Sequence, residues 1–133
     1  VKAADWAAGR RVVPNWNYNS FSVYLLAEAF RATGAAKYRD AAAAKARLGV
    51  LPGQLTGGPR AGRWADAHNA RPAYHYIMAR GLAALAAVLP PDHPDLPAVV
   101  DAALAVGPPP ARTVYVLASD FGAQKVGVAV NRV

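Results

Sequence analysis

The sequence contains no cysteine and no long hydrophobic run, and each of these absences excludes a class of protein. Without cysteine the chain forms neither disulfides nor thiolate metal sites. No uninterrupted apolar run reaches the roughly 20 residues that a membrane span needs, and the longest, residues 81–91, is bounded by Arg80 and Asp92. The first residues, VKAADWAAGRR, lack the apolar centre of a signal peptide. We therefore expect no membrane partner.

What the chain has in quantity is apolar residues, alanine above all. Hydrophobic residues make up 54 % of the 133 residues and charged residues only 17 %, which is typical of a chain that forms a core. Alanine accounts for about a quarter of the sequence and favours closely packed helices. The length corresponds to a single domain, residues 1–133, or to a fragment of a larger one.

The charge is strongly basic but dispersed. Fifteen lysines and arginines stand against eight acidic residues, for a net charge of +7. Such a balance favours an anionic partner, either acidic carbohydrate or nucleic acid. The basic residues form no run of five or more, which favours a solvated basic surface and makes nucleic acid the less favoured partner.

Two helices are predicted in the first half. The first covers about residues 19–31, with Asn19 or Ser20 capping its start and Gly34 ending it in the left-handed conformation that glycine adopts easily. The second covers residues 35–48 and places lysine, arginine and aspartate among alanines, which gives it a solvated face. A segment rich in glycine and proline follows at 49–63 and is expected to have no regular structure.

Two more helices are predicted in the second half. The third begins at Arg71-Pro72, because a proline is tolerated in the first turn, and ends at the Pro90-Pro91 pair. The fourth covers residues 96–105, with Asp95 as its N-cap. The chain is therefore predicted to be mainly α, with two consecutive α-helical hairpins over residues 14–105. The runs TVYVLA and KVGVAV predict a C-terminal β-hairpin within the tail, residues 111–133.

The first and third predicted helices are apolar on nearly every face, so each must be buried on all sides. Two short outer helices cannot cover them, and exposed apolar patches of that size mark interfaces. We therefore expect either a homo-oligomer or the missing remainder of a larger chain.

Polar and aromatic residues gather before these two helices. Residues 14–19 read PNWNYN and residues 64–76 read WADAHNARPAYHY. If both helices lie inside the assembly with the same direction, their entrances meet at one end and form a pocket. The candidate residues for binding or catalysis are Trp16, Asn17, Trp64, Asp66, His68, Asn69, Arg71, Tyr74, His75 and Tyr76.

The stretches NYNSFSVYLLAEAFRATGAAKYRDAA and HNARPAYHYIMARGLAALAAVLP resemble the α/α-toroid enzymes, a group of six-hairpin glycosidases and helical polysaccharide lyases. The resemblance implies a partial α/α toroid of two hairpins with a carbohydrate cleft at one end. A glycosidase would need paired carboxylates, whereas the entrances contain only Asp66. A lyase would need a tyrosine or histidine base and a group that neutralises a carboxylate.

The resemblance makes Asp66, Tyr74 and His75 the candidate catalytic residues, and we expect the helix N-terminus to keep His75 neutral. The other seven are candidates for substrate binding, with the tryptophans stacking on sugar rings. Structural alternatives stay open: Asp66 bonds loop amides, His75 lies hydrogen-bonded in the core, and the tryptophans anchor loops. Asp66, His68 and His75 are suitable zinc ligands but lack a known spacing, so no metal or cofactor is predicted.

The function stays open between two classes. One is binding or processing of carbohydrate, with acidic sugars favoured by the basic charge. The other is a non-enzymatic helical-repeat module that binds protein or nucleic acid through the basic face of the second helix. A pocket shared by the two entrances favours the first, and a continuous face of Lys37, Arg39, Lys45 and Arg47 favours the second.

Overall fold

The computed structural model describes residues 1–65 and 71–105, and these residues are mainly helical. The described residues form five α-helices: α1 (Lys2–Ala8), α2 (Trp16–Thr33), α3 (Ala36–Gly49), α4 (Pro72–Ala86) and α5 (Leu96–Leu104). The described ranges contain no β-strand, and none of their helices is long and apolar enough to cross a membrane. The predicted β-hairpin in the tail, 111–133, lies outside the described residues.

The four predicted helices are confirmed, but the predicted start of the first is wrong. Helix α2 begins at Trp16, and Asn19 and Ser20 lie buried inside it. The Asn19 side chain accepts a hydrogen bond from the Val13 N–H at 3.0 Å and donates one to the Val13 carbonyl at 2.8 Å. It also donates to the Gly49 carbonyl at 2.8 Å. The predicted cap therefore ties the helix to distant backbone instead of closing its first turn.

The end of α2 is confirmed at Gly34. Its φ of 68° is left-handed, and its N–H bonds the Phe30 carbonyl at 2.7 Å. Helix α5 begins as predicted, but Asp95 makes no side-chain capping bond, because its carboxylate pairs with Arg47 at 2.9 Å. Helix α4 starts at Pro72 as predicted and ends at Ala86, before the prolines.

Replacing Gly34 by alanine is expected to lower the free energy of unfolding by about 1–2 kcal/mol, because a Cβ disfavours left-handed backbone. No heavy atom lies within 4 Å of the added Cβ, so the cost is conformational and not steric. Gly34→Asn should lose less, since asparagine tolerates this conformation. Urea unfolding of both variants measures the difference, and equal losses would contradict a conformational origin.

Helix α1 was not predicted from the sequence. It is held by the burial of Ala4 and Ala7 and by the Asp5 carboxylate, which accepts hydrogen bonds from Lys37 at 2.6 Å and from the Tyr38 hydroxyl at 2.9 Å. These two hydrogen bonds, the one from Lys37 above all, lower the pKa of Asp5 below its usual value. Helix α1 therefore bonds to α3 through the Asp5 carboxylate and packs against both α2 and α3.

Helix α2 lies at the centre of the described fold and packs against α1, α3 and α4, while α5 packs on α4. The core includes Val23 and Leu26 of α2, Tyr38 of α3 and Leu82 and Leu85 of α4, each at most 1 % exposed. Helices α2 and α4 approach closely where Ser20 faces Gly81. The Ser20 hydroxyl donates to the Ile77 carbonyl at 3.0 Å, and a Cβ on Gly81 would lie 2.2 Å from that hydroxyl oxygen.

From its composition we expected α2 to be buried on all sides. The described residues do not bury it completely. Tyr18, Phe21 and Leu25, spaced to share one helix face, are 60, 53 and 38 % exposed. One apolar face of α2 is thus left exposed by the described part of the chain.

Light scattering of the whole chain tests our expectation that it is not a stable isolated monomer. An oligomer that dissociates when Phe21 is replaced by lysine would place the exposed face of α2 in the interface. Glu28→Lys, on the same helix but already polar, is the control. A monodisperse monomer with a sharp thermal transition would refute the expectation.

Candidate functional site

The segment 50–65 is more ordered than its glycine and proline content predicts. It begins with a 3₁₀ turn, Leu51–Gly53, and then folds back so that Gln54 and Trp64 form an antiparallel bridge. Leu55 and Gly62 close the turn, since the Leu55 N–H bonds the Arg63 carbonyl and the Gly62 N–H bonds the Leu55 carbonyl, both at 2.7 Å. We call residues 50–65 the 50–65 loop. Apart from this turn and this bridge the segment has no regular structure, as predicted, but its hydrogen bonds give it a defined path.

The entrances of α2 and α4 both contact the 50–65 loop. Trp16, the first residue of α2, lies so close to Gly53 that a Cβ there would be 2.5 Å from the indole ring. Trp64 donates its indole N–H to the Val50 carbonyl at 2.8 Å and places its ring edge-on to His75, with 5.7 Å between centroids. The two helices therefore enter the fold at the same end, beside one loop.

Within residues 1–65 and 71–105, the buried polar atoms without hydrogen-bond partners are concentrated at these entrances. They are the Oδ1 atoms of Asn15 and Asn17, before and in the first turn of α2, and both ring nitrogens of His75, in the first turns of α4. Asn17 and His75 are each 3 % exposed. An unpaired buried polar group costs about 1–3 kcal/mol, so three such side chains at one end are an uncommon arrangement. The hydrogen-bonding capacity of these atoms is unused within the described residues.

His75 is held in its neutral form. Burial lowers the pKa of its imidazole below the usual value, and the positive charge of Arg63 lowers it further. We expected the helix N-terminus to have this effect, and the larger cause is burial. A neutral imidazole offers one hydrogen-bond donor and one acceptor.

The remaining predicted site residues are placed differently. Trp64 is 1 % exposed, so its ring anchors the 50–65 loop and presents no face to a sugar. Trp16, Tyr74 and Tyr76 are half-buried, and Arg71 is exposed at the start of α4. Asp66, His68 and Asn69 lie outside the described residues.

Arg63 is a member of the site that the sequence did not single out. Like Arg60 and Arg71, Arg63 forms no ion pair with any other described residue. The paired arginines and lysines lie elsewhere, on α2 and α3. The position of Arg63 directly before Trp64 was the available signal. Arg63 thus places a positive charge near the unpaired ring nitrogens of His75.

A groove of about 670 Å³ lies between the 50–65 loop and α5. Leu51, Leu55 and Ala102 line it together with Gln54 and Asp101. The Gln54 amide is already engaged, since it donates to the carbonyls of Gly62 and Ala102 at 3.0 and 2.9 Å. The groove is therefore mainly apolar, and the 50–65 loop forms one of its walls.

The predicted basic face of α3 is not continuous. Lys37, Arg39 and Arg47 form ion pairs with Asp5, Asp40 and Asp95, respectively. Lys45 is 6 % exposed and donates to the Arg10 carbonyl at 2.6 Å, and burial lowers its pKa. Each of the four cations is thus occupied within the chain.

Comparison with known proteins returns no match. No protein-family model, no curated protein and no solved structure is similar to the chain at a significant level. Its function must therefore be argued from its own residues.

Proposed function

We propose that this helical chain, organised like part of an α/α toroid, binds an acidic carbohydrate where α2 and α4 enter the fold. The observation that carries the proposal is the set of unpaired buried polar atoms on Asn15, Asn17 and His75. Because such atoms are costly in an unliganded fold, a ligand that bonds them gains the corresponding free energy.

The donors and acceptors at this end favour a polyhydroxylated ligand. The two asparagine Oδ1 atoms accept hydrogen bonds, and the neutral His75 ring both donates and accepts. A simple anion offers acceptors only, so it satisfies His75 in part and the asparagine oxygens not at all. Sugar hydroxyls both donate and accept, and they match the whole set.

Arg63 and Arg71, which form no ion pair with another described residue, favour an acidic sugar over a neutral one. Arg63 is close enough to His75 to lower its pKa, and Arg71 is the residue directly before α4, whose fourth residue is His75. A guanidinium holds a carboxylate through two parallel hydrogen bonds. The proposal is one of binding, and the catalytic roles of Asp66, Tyr74 and His75 stay predictions.

Calorimetric titration of the whole chain with a uronic-acid oligosaccharide and with its neutral hexose counterpart tests the proposal. We expect Arg63→Gln to weaken binding of the acidic ligand by about tenfold, since a hydrogen bond to a charged group contributes about 1.5–3 kcal/mol. The affinity for the neutral counterpart should change little.

Arg31→Gln is the matched control, because Arg31 pairs with Glu28 at 3.1 Å at the far end of α2. It should leave both affinities unchanged. Absence of binding by the wild-type chain, or equal losses in the two variants, would refute the proposal.

A further inference from the structure

We propose that His75 is an acid-sensitive latch for the 50–65 loop: protonation of the imidazole releases its contact with Trp64 and loosens this part of the loop from α4. The inference does not depend on the proposed carbohydrate ligand. It rests on the burial of His75, on its lack of hydrogen-bond partners among the described residues and on the contact of Trp64 with both His75 and the loop.

The latch is built from one ring-to-ring contact. His75 is 3 % exposed, and its edge-on contact with the Trp64 ring is the one aromatic pairing among the described residues. Trp64 in turn fixes both sides of the loop, through its indole bond to the Val50 carbonyl and its bridge to Gln54. Movement of His75 therefore acts directly on Trp64, the residue that ties the two sides of the loop together.

Nothing in the described surroundings stabilises an imidazolium. The charged group that acts on His75 from the loop is Arg63, which is positive, and the one nearest along its own helix is Arg71, also positive. No described carboxylate acts on the ring. A buried charge without a counter-ion is strongly unfavourable, so the protonated ring gains free energy by moving towards water.

The opposite side of the loop has an attachment that does not titrate. The Gln54 amide holds the Ala102 carbonyl of α5 at 2.9 Å. Protonation of His75 therefore frees the part of the loop around Trp64 while the part around Gln54 stays on α5. The opening is local, and the helical core stays folded.

The direction of the pH effect follows from the lowered pKa. The closed loop binds a proton less tightly than the open loop, whose histidine titrates near 6.5. Acidification below that value therefore favours the open state, and the effect is complete once the pH falls below the pKa of the closed state.

Hydrogen exchange of the Trp64 indole N–H, followed by NMR on the full chain from pH 7.5 to pH 4.5, tests the latch. After correction for the intrinsic exchange rate, we expect its protection to fall at least tenfold on acidification. Protection of the Leu82 and Leu85 amides in the core of α4 should persist. Parallel loss of all three protections would mean global unfolding and would overturn the proposal.

Two variants separate the latch from other acid effects. His75→Gln should remove the pH dependence of Trp64 protection. If that variant does not fold, Arg63→Gln provides the test, because loss of the neighbouring positive charge raises the pKa of His75 in the closed loop and should reduce the loss of Trp64 protection on acidification. Arg60→Gln, in the same loop, is the control and should leave the loss of protection unchanged. A loss of protection insensitive to Arg63→Gln would overturn the proposal.

Discussion

Replacing Trp64 by alanine is expected to lower the free energy of unfolding by about 3–5 kcal/mol, the range for removing a large aromatic side chain from a core. The indole is 1 % exposed, and its loss also leaves the Val50 carbonyl without its hydrogen bond. Chemical denaturation measures the change. The magnitude is a large fraction of the total stability of a domain, about 5–15 kcal/mol.

Trp6→Ala is the matched control for this substitution. Trp6 is 63 % exposed and contacts the Arg10 guanidinium, so its removal should change stability by no more than about 1 kcal/mol. If the two alanine variants were equally stable, Trp64 would not anchor the loop. That result would contradict our conclusion that the entrances of α2 and α4 meet beside the 50–65 loop.

Replacing Gly81 by alanine is expected to destabilise the fold by about 1–3 kcal/mol, the usual cost of overpacking. The added Cβ would lie 2.2 Å from the Ser20 hydroxyl oxygen and 2.8 Å from the Ser20 carbonyl oxygen, so α2 and α4 must move apart. This result is opposite to the gain of up to about 1 kcal/mol that alanine gives over glycine in an unconstrained helix. Thermal and urea unfolding both report it.

Gly57→Ala, in the 50–65 loop, is the control, because nothing lies within 4 Å of its added Cβ. It should leave stability unchanged or raise it slightly. The double variant Ser20→Gly/Gly81→Ala should recover part of the loss, since only the carbonyl contact remains. A stabilising effect of Gly81→Ala alone would show that α2 and α4 are not in close contact at this point.

The helices could be predicted because their signals are local. Apolar periodicity and the single residue Gly34 determine the turn between α2 and α3, and Pro72 determines the start of α4. Helix α1 could not be predicted in this way. It is short, and the bonds that hold it come from Lys37 and Tyr38, more than thirty residues further along the chain.

The meeting of the two helix entrances could be predicted from the sequence, but its details could not. The composition of the two entrances indicated that polar and aromatic side chains gather there, and both entrances contact the 50–65 loop. The sequence could not tell which side chains are enclosed. Trp64 and Trp16 have the same chemistry, and only the fold of the loop makes one a buried anchor and leaves the other half-buried.

The role of Asn19 illustrates the same limit. Its residue type predicts a helix cap, and a cap is a contact within one turn. In the fold its amide bonds Val13 and Gly49, six and thirty residues away. Such contacts depend on the tertiary arrangement, which the local pattern does not contain.

The most direct test of binding at this end is an NMR titration of the full chain with the uronic-acid oligosaccharide, observing side chains. We expect the side-chain resonances of Asn15, Asn17, His75 and Arg63 to shift together and to saturate with one affinity. The resonances of Lys45 and Arg47 on α3 should stay in place. Shifts confined to α3, or spread evenly over the basic surface, would contradict a carbohydrate site at the entrances of α2 and α4.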